Sequence, residues 1–211
     1  MKMIRTISLV AVFVAANLCT DSTLIAQSTW IGGGTGDWSN PTNWSGLEPE
    51  SPGQSAIIDA PATVFRAGNV NIDSLFLGAD AILNLDSSIN FDFSGLQPNT
   101  LTNLGTINTQ TNSDFQLQRN AVNSGSINIS PGADIEVDGL TQLSGDGVIA
   151  LNNSRINGVS SAVLQVADQT IEAQGQIGTN AVSFEFSADT LVNANVADET
   201  LTVDGLSLIH I

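Results

Sequence analysis

The amino-acid sequence predicts an all-β protein: a parallel β-helix, or solenoid, with about 20–22 residues per coil and a Trp-rich cap at its N-terminal end. Three observations predict this fold. Short runs of alternating apolar and polar residues recur along the chain, segments return at a step of about 20 residues, and no helical apolar period is sustained. The first two predict strands in a repeating unit, and the third argues against helices.

The predicted strands are short, and turn-forming Gly, Asn, Ser and Thr flank each of them. An antiparallel β-sandwich would also explain such strands. The clearest runs are VNIDSLFL from Val70, AILNLD from Ala81, INFDF from Ile89, DFQLQ from Asp114, ADIEVD from Ala133, VIAL from Val148, VLQV from Val163, VSFEF from Val182 and TLTVD from Thr200.

The repeat decides between these architectures. NLGTINT from Asn103 returns as NSGSINI from Asn123, and DFQLQ from Asp114 returns as DIEVD from Asp134. About twenty residues hold three short strands with their turns, which is one coil of a β-helix and about half of a propeller blade. The leucine-rich repeat pattern is missing, and a sandwich does not explain a period. The repeat therefore favours the parallel β-helix.

A β-helix places equivalent residues of successive coils on top of each other, about 4.8 Å apart. The repeat predicts two interior stacks and a later echo of the first one. The first stack is Ile107, Ile127 and Ile149, its echo is the GQI segment of residues 175–177, and the second stack is Phe115, Ile135 and Ile156.

One corner of the coil is predicted from small and amide residues that recur with the same step. Gly105, Gly125 and Gly147 are expected where the backbone needs a positive φ, which glycine adopts most easily. Asn103 and Asn123 are expected to stack beside them as an amide ladder.

Residues 1–26 are predicted to be a secretory signal peptide. Lys2 and Arg5 supply the positive start, residues 7–16 form an apolar run, and Ala26 fits a small-residue cleavage site. The apolar run is too short to span a bilayer of about 30 Å. We therefore expect a secreted or cell-surface protein with no transmembrane segment in the mature chain. Cys19, the single cysteine, would leave with the signal, so no disulfide is expected.

The rest of the chain divides into a cap of residues 27–60, a β-helix of residues 61–205 and a tail of residues 206–211. The tail, LSLIHI, resembles the translation of a sequencing-library adapter. We therefore expect that the tail and its His210 are not native, and that the native protein continues past Gly205.

All three tryptophans lie in one glycine-rich segment, TWIGGGTGDWSNPTNWSG from Thr29. The open end of a β-helix needs a cover for its interior side chains, and this segment precedes the first coil. Trp30, Trp38 and Trp44 are therefore predicted to fold over the first rung. The alternative is a glycan-binding platform made of the same rings. The GGGTG run, residues 32–36, is interpreted as a flexible turn, because a phosphate loop would need a Lys-Ser/Thr pair and a helix after it.

The chain is strongly acidic, with 5 basic against 21 acidic residues and a formal net charge of −16. Without the signal peptide its cations are Arg66, Arg119 and Arg155. Such a surface repels phosphate backbones and anionic lipids, which argues against nucleic-acid and membrane-surface binding. Polyanionic ligands are disfavoured for the same reason unless calcium bridges them.

The residue types also exclude several kinds of catalytic site. Without a native histidine, a mature cysteine or a lysine, the chain cannot build a nucleophile–histidine system or an ordinary zinc site. We therefore expect no catalytic residue and no cofactor other than, at most, calcium.

Carboxylates remain as candidate ligands. Asp134, Glu136 and Asp138 alternate along one predicted strand, so they project from one face and are weak candidates for calcium binding. In the predicted register they lie beside Asp114, Gln116 and Gln118 of the preceding coil. The alternative is a solvated outer face on which Arg119 and Arg155 neutralise part of the row.

The opening segment from Thr29, followed by PGQSAIID from Pro52, resembles the start of repeat modules in exported bacterial β-helix proteins of the autotransporter-like and haemagglutinin-like type, including those of environmental bacteria. LTNLGTINT, GDGVIALNNSRI and TIEAQGQIG are similar to degenerate coils of the same proteins. The resemblance implies a right-handed parallel β-helix in a surface or extracellular setting. It carries over no catalytic residue.

These observations predict a non-enzymatic exported β-helix segment of a larger surface or secreted bacterial protein, acting as an adhesin, a stalk or a matrix scaffold. Its expected partners are extracellular glycans or other cell-surface proteins. The competing hypothesis is a carbohydrate-active β-helix that binds or cleaves a neutral polysaccharide. Such an enzyme should cluster acids beside exposed aromatics, whereas here the acids are dispersed and the tryptophans lie elsewhere.

Overall fold

The computed structural model of the protein describes residues 26–179, 181–194, 200–204 and 208–210. These residues form short β-strands and turns, with a single 3₁₀ turn at Pro41–Asn43 among the described elements. The strands pair in parallel, and the one isolated antiparallel bridge joins Trp30 to Trp44. The fold is a parallel β-helix of about seven turns, as predicted. The predicted signal peptide lies outside the described residues except for Ala26.

Three parallel sheets, here called A, B and C, form the sides of the solenoid. Four long strands bend around corners and contribute to more than one sheet: β11 (Asp114–Asn123), β13 (Asp134–Ser144), β14 (Val148–Val166) and β15 (Thr170–Ile177).

Each sheet is completed by shorter strands. Sheet A contains β1 (Ala26–Thr29), β3 (Gln54–Ile58), β6 (Ser74–Leu77), β9 (Asn99–Asn103), parts of β11, β13 and β14, then β16 (Val182–Phe186) and β19 (Leu208–His210). Sheet B contains β2 (Thr35–Asp37), β4 (Ala62–Arg66), β7 (Ala81–Leu85), β10 (Thr106–Thr109), β12 (Ser126–Ile129), parts of β14 and β15, then β17 (Leu191–Asn193). Sheet C contains β5 (Val70–Ile72), β8 (Asn90–Phe93), parts of β11, β13, β14 and β15, then β18 (Leu201–Val203).

The interior is built from inward residues that stack coil upon coil. Ile107, Ile127 and Ile149 pair in register in sheet B and are fully buried, which confirms the first predicted stack. The second is confirmed in sheet C, where Phe115, Ile135 and Ile156 pair in the same way. The echo predicted at residues 175–177 is wrong. Ile171 continues the first stack, and Ile177 lies on Ile156 in the second.

The predicted glycine corner exists, but the predicted reason for it is wrong. Gly105, Gly125 and Gly147 do not have positive φ values. A Cβ on Gly105 would stand 2.2 Å from the carbonyl oxygen of Ala81, and one on Gly125 would stand 2.0 Å from that of Gly105. Successive coils approach too closely at this corner for any side chain, so steric exclusion selects glycine.

The predicted amide ladder is present and fully buried beside this corner. The Asn103 Nδ2 donates to the Asn123 Oδ1 over 2.7 Å, and the Gly105 N–H donates to the Asn103 Oδ1 over 3.1 Å. The Asn123 Nδ2 in turn donates to the Oε1 of Gln169 over 2.9 Å. Gln169 lies two coils further on, and its amide also donates to the carbonyl oxygen of Gly145 in the coil between. Each buried amide therefore has a partner, as burial requires.

The three tryptophans form the predicted cover at the N-terminal end. Trp38 is 0 % exposed and packs edge-on against Trp44, with ring centroids 4.8 Å apart, and against Phe91, at 5.7 Å. Trp30 packs edge-on against Trp44 at 5.3 Å. Phe91 lies on Val70 and beneath Phe115 in the sheet C stack. The indole rings therefore continue the interior column of the solenoid.

The cap is also part of the hydrogen-bonded sheets. Strands β2 and β3, and all of β1 except Ala26, lie within the predicted cap of residues 27–60, yet these strands pair with β4, β6 and β3 of sheets A and B. Sheet C instead begins with β5, one coil later than sheets A and B. The segment before β3 lies where the first strand of sheet C would be, and there the Asn71 N–H donates to the Glu50 carbonyl. Gly36 lies in β2, so the GGGTG run is part strand rather than a flexible turn.

A buried ion pair fastens this covering segment to the first corner. Arg66 is 5 % exposed, and its Nη1 lies 2.6 Å from the Oε1 of Glu48. The same guanidinium donates to the Ser39 hydroxyl and to the carbonyls of Gly68 and Asn69. The charge of Arg66 is thus paired and its donors are used, which is how a buried cation is tolerated.

At the other end, β19 (Leu208–His210) pairs in parallel with β16. Residues 205–207 and 211 lie outside the described part of the chain. The foreign origin of residues 206–211 stays a prediction.

Replacing Trp38 by alanine tests the cap. We expect Trp38→Ala to lower the free energy of unfolding by about 3–5 kcal/mol, because a fully buried indole leaves a cavity above Phe91. Urea unfolding followed by far-UV circular dichroism measures the change. Leu47, which is 72 % exposed in the same segment, provides the control: Leu47→Ala should change stability by less than about 0.5 kcal/mol. Equal effects of the two substitutions would contradict the cap.

Replacing Gly125 by alanine tests the tight corner. We expect Gly125→Ala to destabilise the fold by about 1–3 kcal/mol or more, because the new methyl group meets the backbone of the preceding coil. The matched control is Gly34→Ala, where a Cβ meets nothing within 4 Å and φ is not positive. Thermal unfolding distinguishes the two, and a stable Gly125→Ala variant would show that the corner is not closely packed.

Candidate functional site

The acidic residues singled out from the sequence lie together on the outer face of sheet C. Asp134, Glu136 and Asp138 alternate with the buried Ile135 and Val137 along β13. They pair in register with Asp114, Gln116 and Gln118 of β11, as predicted. We call this set of residues, together with Asp92 and Arg155, the acidic row.

Asp92 joins the row from β8, and sequence reasoning missed it. Its neighbour Phe91 pairs with Phe115, which places Asp92 level with Gln116 and Glu136. The step from Phe91 to Phe115 is 24 residues, longer than the repeat of 20 that follows it. The alternating run INFDF was the available signal, but the longer turn hid its register.

Arg155 on the next coil neutralises one end of the row. Its Nε lies 2.9 Å from the Oδ1 of Asp134 and its Nη2 lies 2.5 Å from the Oδ2. The guanidinium therefore binds the carboxylate in a bidentate manner, with two parallel hydrogen bonds. Asp134 is 7 % exposed, so the interpretation of the whole row as a solvated face is wrong at this residue. Arg119 is exposed and makes no ion pair with the described residues, so its predicted neutralising role is wrong.

The remaining carboxylates repel one another. Burial, together with the charges of Asp134 and Asp92, raises the pKa of Asp114 above its ordinary value. Burial and then the charges of Asp114 and Asp92 raise the pKa of Glu136, and burial raises that of Asp92. The side-chain hydrogen bond from Arg155 to Asp134, and the charge of Asp134, raise the pKa of the guanidinium.

Amide side chains separate the acids within the row. The Gln118 Nε2 donates to the Asp138 Oδ2 over 2.9 Å, and the Phe93 N–H donates to the Gln116 Oε1 over 2.8 Å. Within the described ranges, no group of three or more His, Cys, Asp and Glu side chains is arranged to hold a metal ion. Calcium binding by Asp134, Glu136 and Asp138 stays a prediction from the sequence.

The tryptophans give no support to a glycan platform. Trp30 and Trp44 are 3 % exposed and Trp38 is 0 % exposed, so no indole face is free to stack on a sugar ring. Each indole N–H donates to a backbone carbonyl of the cap: Trp30 to Gly33, Trp38 to Pro49 and Trp44 to Trp38. Both the rings and their polar atoms are used in closing the solenoid.

A second candidate surface, which sequence reasoning missed, lies on sheet A. Three cavities lie on it, with volumes of about 580, 370 and 260 Å³, and Asn99 lines all three. The two smaller cavities lie on the same early coils, and the largest lies on the later ones. We call these three cavities together the sheet A groove. Its polar residues come from strands whose repeat steps differ, so the sequence alone did not align them.

Comparison of the chain with protein-family models, curated proteins and solved structures found no match. The likeness to autotransporter-like and haemagglutinin-like proteins therefore stays a prediction. In the part of the chain that the structure describes, no helix is long and apolar enough to cross a membrane.

Replacing Glu136 by glutamine tests the repulsion within the acidic row. A carboxyl whose pKa is raised on folding destabilises the native state at pH values above that pKa, where it is charged in both states. The penalty disappears as the pH falls through the raised pKa towards the ordinary value of 4.5. We therefore expect Glu136→Gln to raise Tm at pH 7 and to lose this advantage progressively in acid.

Thermal unfolding between pH 7 and pH 4 measures the effect. The control is Asp80→Asn, which removes one negative charge from an exposed turn outside the acidic row. A Glu136→Gln variant that is less stable than the parent at pH 7, or a gain that grows in acid, would contradict the proposed repulsion.

Proposed function

We propose that the chain is an exported, non-enzymatic β-helix segment that serves a surface or secreted bacterial protein as a stalk, adhesin or matrix scaffold. The observation that carries this proposal is the way successive coils are joined. The coils that follow the N-terminal cap repeat the same three-sided path, and their inward residues lie in register on those of the neighbouring coil. Such an architecture is extended by adding coils, without a change in the existing ones.

The dimensions support a spacer role. About seven turns at roughly 4.8 Å per turn span about 34 Å along the axis. Because each coil packs on the coils next to it, stability rises with the number of coils. A solenoid of this kind separates whatever is attached to its two ends by a defined distance.

The arrangement of acids gives less support to the competing hypothesis of polysaccharide cleavage. Glycoside hydrolysis needs two carboxyl groups that flank the scissile bond in a cleft. A cavity of about 450 Å³ lies beside Asp134, but Asp134 is the one carboxylate among the described residues that line it, and Arg155 holds that carboxylate. Asp138 accepts a hydrogen bond from Gln118. Glu185 is the one carboxylate among the described residues that line the sheet A groove.

Expression of the full chain in a Gram-negative bacterium tests the proposal. We expect residues 1–26 to be removed and the mature protein to be recovered outside the cytoplasm, with the intact mass of a chain that begins at Gln27. We also expect that the protein releases no reducing sugars from neutral polysaccharides. Cell fractionation, mass spectrometry and a reducing-end assay measure these outcomes. Retention in the cytoplasm with the first 26 residues attached would contradict export. Sugar release that Glu136→Gln or Glu185→Gln abolishes would contradict the non-enzymatic role.

A further inference from the structure

The sheet A groove follows the solenoid axis, and its floor is a column of polar side chains. Successive coils contribute one residue each, related by strand pairing: Gln27, Ser55 and Ser74 in the early coils, then Asn99, Asn120, Gln142, Gln165 and Glu185 in the later ones. The two runs meet where Ser74 and Asn99 line the same cavities. The groove thus extends along most of the described solenoid.

These side chains lie on the outer side of sheet A because their neighbours on each strand point inward, and Ser55 is the one member of the column that is buried, at 6 % exposure. Ala56, Leu75 and Leu143, which follow column residues directly, are at most 2 % exposed. Gln142 is exposed, while Gln165 and Glu185 are half-buried. The largest of the three cavities, about 580 Å³, is also lined by Leu143, Val166 and Phe186, which are at most 8 % exposed. The groove therefore offers a ligand mainly the polar groups of the column.

Neighbouring side chains of the column are hydrogen-bonded to each other and so hold a fixed orientation. The Ser74 hydroxyl donates to that of Ser55 over 2.8 Å, and the Asn120 amide donates to the Asn99 Oδ1 over 3.2 Å. The Gln142 amide donates to the Gln165 Oε1 over 3.0 Å, and the Gln165 amide donates to Glu185 over 2.7 Å. A primary amide has two N–H donors and two acceptor lone pairs, so each keeps capacity for a ligand.

The charges around the groove restrict the ligand class. Among the described residues that line its three cavities none is cationic, and the column carries a carboxylate only at Glu185. An anionic polymer would meet no counter-charge there and would approach a chain of net charge −16. A cationic polymer could pair with only one carboxylate of the column, Glu185, because the other column residues are uncharged. Neutral hydroxyl groups match amide and hydroxyl side chains without any charge.

Backbone pairing argues against an extended peptide as the ligand. Peptides that add to a sheet need a free strand edge, because their affinity comes from main-chain hydrogen bonds. In sheet A, every strand from β3 to β16 is paired with a neighbour on both sides. The groove therefore offers a ligand only side chains, at a regular spacing of about 4.8 Å per coil.

We propose that the sheet A groove binds a neutral polysaccharide, which lies along the solenoid axis and exchanges hydrogen bonds with the amide column. The regular spacing suits a polymer with a repeating unit better than a single small molecule. This inference goes beyond the scaffold role and does not depend on it.

Affinity electrophoresis of the full chain in gels that contain a soluble β-glucan, a galactomannan or polygalacturonate tests the proposal. We expect at least one neutral polymer to retard the protein and polygalacturonate not to do so. The double variant Gln142→Ala/Gln165→Ala should bind about tenfold more weakly or worse, because it removes two hydrogen-bonding groups from the largest cavity of the groove.

The chain offers a matched control on sheet B. Asn84, Asn108 and Asn128 form an amide ladder of the same kind, with hydrogen bonds of 2.9 and 2.8 Å, and they line a separate cavity of about 430 Å³ outside the groove. The double variant Asn108→Ala/Asn128→Ala should leave retardation unchanged. If no neutral polymer binds, if polygalacturonate binds as well, or if both double variants lose binding alike, the groove is not the site.

A measurement on the unmodified protein keeps the test independent of variant folding. In NMR spectra, titration with the neutral polymer should shift the side-chain amide signals of Gln142 and Gln165 and leave those of Asn108 and Asn128 in place. Shifts produced by an unstructured neutral peptide instead of the polysaccharide would overturn the assignment of the ligand class. Failure of either experiment removes the groove proposal and leaves the scaffold proposal to its own test.

Discussion

The register between successive coils is the constraint on which the rest of this structure depends. Parallel pairing at about 4.8 Å places each residue on its counterpart one coil away, so each side chain must be compatible with those above and below it in the same column. Ile107, Ile127 and Ile149 show the favourable case, because identical branched side chains stack without gaps. The same register forbids a Cβ at Gly125, where the backbone of the preceding coil is too near.

Stacking like on like has opposite consequences for amides and for carboxylates. An amide both donates and accepts, so Asn103 and Asn123 satisfy each other inside the protein. A carboxylate only accepts, so Asp114 beside Asp134 is repulsive, and the raised pKa of Asp114 reflects this repulsion as well as burial. Arg155 on the following coil relieves this repulsion at Asp134, and Gln116 and Gln118 lie beside Glu136 and Asp138, where a carboxylate would repel them. The amide columns in the interior, on sheet A and on sheet B therefore have the same cause: stacked amides can hydrogen-bond to each other.

The ends of a solenoid break this regularity, and the N-terminal end shows how the chain compensates. Sheets A and B begin with β1 and β2, whereas sheet C begins only with β5. The segment before β3 fills the missing rung with Trp38, which rests on Phe91. Arg66 and Glu48 hold that segment to the first corner. The largest side chains lie over the first of the described coils, where they cover its core.

The sequence by itself determined the architecture, since alternation of apolar residues and a period of about 20 residues are local properties that survive without coordinates. It also identified the stacks and the buried amide pair wherever the repeat was regular, as at Asn103 and Asn123. Where turn lengths vary, only the tertiary structure decided which residues of successive coils lie side by side. One inserted residue in a turn shifts the apparent period of the sequence without changing the strand pairing. Asp92, the column that ends at Glu185, and the steric reason for Gly125 all belong to this second class. Each of them depends on a contact between coils, and such contacts are a property of the stack rather than of any single repeat.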